Sequence, residues 1–96
     1  MNVRVEPTAR AAVTEAVRWQ VEVAGLAIAD TFERELAAAI RLPVRFPQLG
    51  TPGQQASRKL RLDGFPCTLH YRLDGELIRI LAVANPRRRP GYWQGR

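Results

Sequence analysis

The 96-residue sequence is poor in the residues that build cross-links and metal centres. It contains one cysteine, Cys67, and one histidine, His70. A single cysteine excludes an internal disulfide and a cysteine-based zinc site, and a single histidine excludes a histidine pair. Glycine-rich phosphate loops and paired catalytic carboxylates are also missing. We therefore expect no cofactor and no metal.

Long apolar runs are lacking as well. The longest charge-free run near the start, residues 23–29, is far too short to cross a bilayer, and no signal-peptide pattern precedes it. The hydrophobic and charged fractions, 46% and 25%, are typical of a globular protein. A chain of this length holds one hydrophobic core. We expect a single cytoplasmic domain over residues 1–96, with no membrane partner.

Lysine is scarce, whereas arginine is abundant. Fourteen of the 15 basic residues are arginine, Lys59 is the only lysine, and the formal net charge is +6. Residues 1–56 carry six cations and six acids, whereas residues 57–96 carry nine cations and three acids. A basic half of this kind indicates an anionic partner, either nucleic acid or an acidic protein. A basic face kept only for solubility is the alternative that the charge pattern leaves open.

The first half of the sequence predicts a short strand and two helices. Residues 2–6 alternate polar and apolar side chains, as a half-buried strand does. Apolar residues recur at helical spacing over 8–24 and again over 26–42. Gly25 separates the two helices and Pro43 is expected to end the second. Two helices with so short a link pack as an antiparallel hairpin.

The second half predicts a loop and three strands. Prolines and glycines crowd residues 44–55, and alternating segments follow at 57–62, 67–73 and 76–84. An Asp-Gly pair at 74–75 is a strong hairpin signal, and the most apolar segment, the last, is expected to be the central strand. The predicted fold is α+β with the order β-α-α-β-β-β. Its helical hairpin packs on one face of a small, mostly antiparallel sheet.

Alternation along these strands places basic residues on the sheet face that the helices leave open. The residues predicted to share that face are Lys59, Arg61, His70, Arg72 and Arg79. A lone histidine on a polar strand face is more typical of a surface residue than of a general base. Cys67 alternates with core positions, so we expect it to be a small buried hydrophobe.

The end of the chain gathers further cations and aromatic residues, namely Arg87, Arg88, Arg89, Tyr92 and Trp93. Such a set can hold a phosphate and stack a base. A metal-independent ribonuclease could use it, with arginines stabilising the charge on phosphorus and Tyr92 or His70 protonating the leaving oxygen. Arginine and aromatic anchors are equally typical of protein interfaces.

Three segments together resemble one protein family. Residues 45–50 (RFPQLG), 58–72 (RKLRLDGFPCTLHYR) and 78–93 (IRILAVANPRRRPGYW) resemble the RelE/ParE superfamily of toxins from type II toxin–antitoxin systems. The ending is similar to the ParE-like branch, whose members are often described as plasmid-stabilisation proteins. The resemblance implies a growth-inhibiting toxin that is neutralised by a cognate acidic antitoxin, with which it forms a hetero-oligomer.

The resemblance implies two possible targets. ParE-like members poison DNA gyrase, whereas RelE-like members cut messenger RNA on the ribosome. The nuclease motif falls on Arg61, Arg88 and Tyr92 as catalytic residues. The remaining candidates for target binding are Lys59, Arg72, Arg79, Arg87, Arg89 and Trp93. The single lysine, and Cys67 at a position where nucleases often have a basic residue, favour gyrase. A protein that only pairs with its antitoxin is the third possibility.

Overall fold

A computed structural model describes residues 2–84 of the chain. Strand β1 (Asn2–Val5) is followed by helices α1 (Pro7–Ala24) and α2 (Leu26–Arg45). The remaining strands are β2 (Thr51–Pro52), β3 (Arg58–Arg61), β4 (Thr68–Asp74) and β5 (Leu77–Ala84), with one 3₁₀ turn at Gln54–Ala56. The predicted α+β class is confirmed. Neither helix of this part of the chain has the length and apolar character needed to span a membrane.

The five strands form one mixed sheet in the order β1-β5-β4-β3-β2. Strand β1 runs parallel to β5, and every other pair is antiparallel. The prediction that the last strand is central was wrong by one place, because β1 adds beside β5 and leaves β4 in the middle. The two-residue strand β2 lies inside the segment that was expected to be a loop, where it pairs with β3.

A bulge interrupts the pairing of β4 with β5. His70 lies opposite Ala82 and Tyr71 lies opposite Ile80, so that Leu81 is an extra residue in β5. The extra residue shifts the alternation of side chains along β5. Ile80 and Val83 are therefore both buried in the core, although strict alternation would place them on opposite faces.

The helices differ from the predicted pattern at their ends. Helix α1 starts at Pro7, and its most buried residues are Ala9, Ala12 and Ala16, whose small side chains let the helix lie close to its neighbours. The expectation that Pro43 ends α2 was wrong, since the helix continues to Arg45 with Pro43 buried inside it. A proline so near the C-terminus removes only one helical hydrogen bond. Gly25 joins the helices at a φ of 90°, which favours glycine.

The core lies between the helical hairpin and one face of the sheet. Its largest fully buried side chains include Tyr71, Phe32, Leu69, Ile78 and Ile80. Phe32 of α2 meets Phe65 edge to face, with ring centroids 5.1 Å apart. The helices thus cover one side of the sheet. The opposite side is called the open face below.

Candidate functional site

The open face carries the strand cations that alternation assigned to it. Leu69 and Tyr71 point into the core, so the alternate residues of β4 point away from the helices. Strand register then places Lys59 opposite His70, and Arg72 opposite Arg79. Arg61 lies opposite Thr68 at the next position along β3. The five cationic or titratable residues that alternation assigned to this face are therefore brought together by the sheet.

Four of the open-face residues form a network of ion pairs. Arg79 Nε donates to Glu6 Oε1 at 2.7 Å, and Arg79 Nη1 donates to Asp74 Oδ2 at 3.2 Å. Arg72 Nε lies 3.3 Å from Asp74 Oδ1. The hydrogen bond to Glu6, supported by Asp74, raises the pKa of the Arg79 guanidinium. We call Glu6, Arg72, Asp74 and Arg79 the ion-pair cluster. Its two cations are balanced by its two carboxylates.

Arg79 also ties the first strand to the rest of the sheet. Glu6 follows β1 directly, and its backbone N–H donates to the Ile80 carbonyl of β5 at 3.0 Å. The guanidinium of Arg79 reaches the side chain of the same residue, which is only 18% exposed. The bonds from Arg79 therefore hold the junction of β1 and α1 against β5. This role occupies the planar donor fork that arginine would otherwise offer to a phosphate or carboxylate of a partner.

Lys59 and Arg61 of β3 stand in a different environment. Both are exposed, and neither makes an ion pair with any carboxylate of residues 2–84. We call these two residues the β3 cations. Their charges remain available to a partner, because exposed cations without a carboxylate neighbour keep their full attraction for an anion.

His70 lies between the β3 cations and the ion-pair cluster. Its side chain is half-buried, and burial lowers its pKa below the ordinary value of 6.5, with a smaller contribution from the positive charge of Lys59. The imidazole is therefore mainly neutral at neutral pH. A neutral imidazole of lowered pKa holds little of the protonated form that a general acid requires.

Cys67 confirms the prediction of a small buried hydrophobe. It is 3% exposed and belongs to the core. Burial raises the pKa of its thiol to about 11, although the backbone of Thr68 acts in the opposite direction. The thiol therefore stays protonated and is not activated as a nucleophile. Among residues 2–84, no three side chains of histidine, cysteine, aspartate or glutamate come close enough to hold a metal ion.

The structure places only part of the predicted site. Arg87, Arg88, Arg89, Tyr92 and Trp93 lie outside the described residues, so the roles expected for them stay predictions. Sequence reasoning missed Glu6, Asp74 and Arg4, the last of which lies opposite Arg79 on the neighbouring strand. The alternation of side chains along the first strand indicated which other residues share a face with Arg4. Its position next to Arg79 required knowledge of the parallel β1–β5 pairing.

A helical hairpin on a five-stranded mixed sheet, with cations on its open face, is the arrangement that the resemblance to RelE/ParE toxins implies. The sequence matches the family described as "ParE toxin of type II toxin-antitoxin system, parDE" over residues 3–90. The chain belongs to this family, which confirms the resemblance of the three sequence segments.

A solved structure supports the same fold. A chain of the "Chromosomal ParDE TA system from P. aeruginosa" superposes with a TM-score of 0.80 at 20% sequence identity, covering 88% of this chain and 95% of that one. At this identity the likeness shows the fold alone. No curated protein matches the sequence.

Proposed function

We propose that this ParE-family toxin stops growth by binding DNA gyrase, and that a cognate acidic antitoxin neutralises it in the cytoplasm. The observation that supports this most is the pair of β3 cations, which are exposed on the open face without a carboxylate partner among residues 2–84. A gyrase that is bound to DNA presents the anionic phosphate backbone to such a pair. Gyrase is also the target that the ParE-like resemblance implies.

His70 favours binding over catalysis. RNA cleavage without a metal requires a base for the 2′-hydroxyl and an acid for the leaving oxygen. The lowered pKa of His70 leaves little of the protonated form that the acid step requires. The positive charges near it favour holding an anion, which a toxin that acts by binding requires.

The antitoxin proposal has its own support. The P. aeruginosa chain of the same fold comes from a ParDE toxin–antitoxin system, and this chain carries a net charge of +6. An acidic partner would neutralise that charge and associate quickly through electrostatic attraction.

The ribosome-dependent nuclease is the second candidate function. Lys59 and Arg61 favour it, because they match the basic residues of the nuclease motif on the same strand. In this alternative Arg61, Arg88 and Tyr92 carry out the reaction. It predicts translation arrest and codon-phased cuts in messenger RNA.

One induction experiment separates the candidates. The chain is expressed without its antitoxin, and plasmid topology and messenger-RNA 5′ ends are measured in the same cells. The proposal predicts that negative supercoiling is lost and that DNA-damage signalling is induced, while the RNA ends stay unchanged. Codon-phased cuts with normal supercoiling would establish the nuclease instead. The absence of any growth defect would indicate a protein that only pairs with its antitoxin.

A further inference from the structure

Within residues 2–84, the large exposed apolar side chains gather at the two ends of helix α2. Those at the hairpin tip, where α1 and α2 join around Gly25, are Val23, Leu26 and Ile28. Those at the other end of α2 are Leu42, Phe46, Leu49 and Leu73. The remaining one in this part of the chain is Val3, on the edge strand β1. Single exposed apolar residues are common, but clusters of them mark interaction sites.

The cluster at the C-terminal end of α2 surrounds a groove, which we call the α2–β4 groove. Its lining residues are Arg45, Phe46, Pro47, Gln48, Leu49 and Leu73. The buried Tyr71 holds the wall of this groove from beneath. Its hydroxyl accepts a hydrogen bond from the Gly50 N–H at 2.9 Å and donates one to the Pro47 carbonyl at 2.8 Å. A wall fixed in this way loses little conformational entropy when a partner binds.

The two ends of α2 carry charges of opposite sign. Residues 19–33, which form the hairpin tip and the start of α2, contain three acids and no cation. Residues 36–62, which include the end of α2 and the loop of the groove, contain five cations and no acid. Arg45 lines the groove itself, with its guanidinium 5.7 Å from the centre of the Phe46 ring. An apolar, acidic tip and an apolar, cationic groove are complementary surfaces.

One face of α2 connects the hairpin tip to the groove. Residues 28, 35 and 42 recur every seven positions, and residues 31, 38 and 45 each follow by three. Side chains with this spacing lie along one face of a helix, and all six are at least partly exposed. Ala38 lines a shallow depression at the middle of the face. Its small side chain allows the backbone of a second helix to approach closely there.

An antiparallel pair of α2 helices, related by a twofold axis, brings each hairpin tip to the groove of the other copy. An axis between Glu35 and Ala38 places Ile28 beside Arg45 of the second copy. Leu26, two residues further out, then lies beside position 47, in the groove. Both contacts form at once, because the tip and the groove lie at opposite ends of a 20-residue helix, about 30 Å apart. Such a contact closes at two copies.

We infer that the free chain forms a homodimer in which the hairpin tip of each copy occupies the α2–β4 groove of the other. The inference concerns the chain by itself and goes beyond the proposed action on gyrase. Burial of the two apolar clusters provides the driving force, and the opposite charges at the ends of α2 fix the antiparallel direction. The net charge of +6 lies in residues 57–96, whereas residues 1–56, which supply most of the contact, are neutral overall.

Sedimentation equilibrium of the purified full chain tests the inference. The wild type should pass from monomer to dimer as its concentration rises. Leu26→Lys removes an apolar contact and brings a cation to a cationic groove, and the twofold axis repeats the change, so dimerisation should weaken about 100-fold. Leu26→Glu removes the same contact but adds a charge that the groove attracts, so it should weaken dimerisation only about tenfold. Leu26 is 76% exposed, so neither variant should disturb the fold.

A charge exchange identifies the two surfaces that meet. Arg45→Glu alone should weaken dimerisation, because the groove loses the cation that faces the acidic tip. Combined with Leu26→Lys it should recover about tenfold of the lost affinity, since the introduced lysine then faces an introduced glutamate on the other copy. Val3→Lys is the matched control. Val3 is an exposed apolar residue away from α2, so its substitution should leave the dimerisation constant within about twofold of wild type.

Disulfide trapping gives a second readout at the same contact. Leu26→Cys combined with Gln48→Cys should form a disulfide between two copies on oxidation, whereas Val3→Cys combined with Gln48→Cys should not. The native Cys67 is buried in the core and does not compete.

Three results would overturn the inference. The first is a wild-type chain that stays monomeric at its highest soluble concentration. The second is a dimer that Leu26→Lys leaves intact and Val3→Lys dissociates, which would assign the contact to the edge of β1. The third is a double variant, Leu26→Lys with Arg45→Glu, that dimerises no more tightly than Leu26→Lys, since the tip would then not meet the groove.

Discussion

The open face contains two sets of cations that have different environments. Arg72 and Arg79 share the carboxylates of Glu6 and Asp74, whereas the β3 cations have no carboxylate partner among residues 2–84. Both sets occupy strand positions that alternate with core residues, and the sequence alone does not distinguish them. The comparison teaches that side-chain alternation predicts which face a cation occupies. Its availability to a partner depends on which acids the fold brings beside it.

The difference arises from the segments that flank each strand. Asp74 ends β4 at the hairpin with β5, and Glu6 joins β1 to α1. Each of the two paired arginines therefore has a carboxylate beside it. Strand β3 is instead preceded by an uncharged segment, residues 46–57, and Asp63, which follows the strand, makes no ion pair with either β3 cation. The ion-pair cluster therefore stabilises the sheet, and the β3 cations are available for binding.

Reversing both β3 cations should have the largest effect on function. We expect Lys59→Glu with Arg61→Glu to lose growth inhibition, because two charge-assisted contacts correspond to about 100-fold or more in target affinity. The melting temperature should change little, since both side chains are exposed and lack ion pairs with the described carboxylates. Growth curves after induction and thermal unfolding by circular dichroism measure the two effects. A folded double variant with full toxicity would remove the β3 cations from the binding surface.

Removing the central arginine of the ion-pair cluster should lower the stability and leave toxicity intact, which is the reverse of the result expected for the β3 cations. Arg79→Met loses the hydrogen bonds to Glu6 and Asp74, so we expect a lower melting temperature than for Lys59→Met, with toxicity retained by the folded protein. Arg79→Lys should recover part of the stability, because an ammonium keeps the charge but not the planar fork. Loss of toxicity at an unchanged melting temperature would show that Arg79 contacts the target.

The titration of His70 provides a finer test of the comparison. Its pKa is lowered first by burial and then by Lys59, so Lys59→Met should raise that pKa, whereas Arg79→Met should leave it nearly unchanged. Proton NMR of the imidazole measures both values. An equal rise in the two variants would mean that the charge of Arg79 acts on His70 as strongly as that of Lys59.

The lowered pKa of His70 also determines the direction in which a change of pH alters the stability of the fold. The unfolded chain takes up a proton at His70 before the folded chain does, so the His70 contribution to stability falls as the pH decreases through 6.5. His70→Gln should abolish this part of the pH dependence. Urea unfolding of both proteins at about pH 7.5 and about pH 5.5 isolates it. A wild-type protein that gains stability relative to His70→Gln on acidification would contradict the assigned direction.

The smallest effect is expected for a cation far from the open face. Arg34 makes an exposed pair with Asp30 on α2, at 3.5 Å, with both side chains more than two-thirds exposed. Arg34→Gln should change the unfolding free energy by less than about 0.5 kcal/mol and leave toxicity unchanged. Chemical unfolding and growth assays check this. A strong loss of toxicity would mean that net charge, rather than the position of the β3 cations, controls the activity.

Local sequence patterns predicted most of the fold. The helical hairpin, the Asp-Gly turn before β5 and the order of elements follow from periodicity and turn residues, which act over a few positions. The interior position of Pro43 and the pairing of β2 with β3 depend on contacts made by the finished fold. The same holds for the place of β1 beside β5, because parallel pairing joins segments more than 70 residues apart.

The site was predictable only in part for a similar reason. Alternation correctly grouped Lys59 and Arg61 with the other cations of the open face. The bond between Arg79 and Glu6 spans 73 residues, and no local pattern indicates it. The hydrogen bonds between Tyr71 and the loop after α2 are also long-range. The Gly50 N–H donates to the Tyr71 hydroxyl across 21 residues, and that hydroxyl donates to the Pro47 carbonyl across 24 residues. Both arrangements become visible only once the strand order is known.

Inhibition of purified DNA gyrase tests the central claim most directly. Wild-type protein, Arg61→Glu and Arg79→Met would each be added to a supercoiling reaction, with RNA integrity followed in parallel on translating ribosomes. We predict that the wild type and Arg79→Met block supercoiling, that Arg61→Glu does not, and that RNA stays intact. Normal supercoiling at a stoichiometric excess of the wild-type protein would contradict the account.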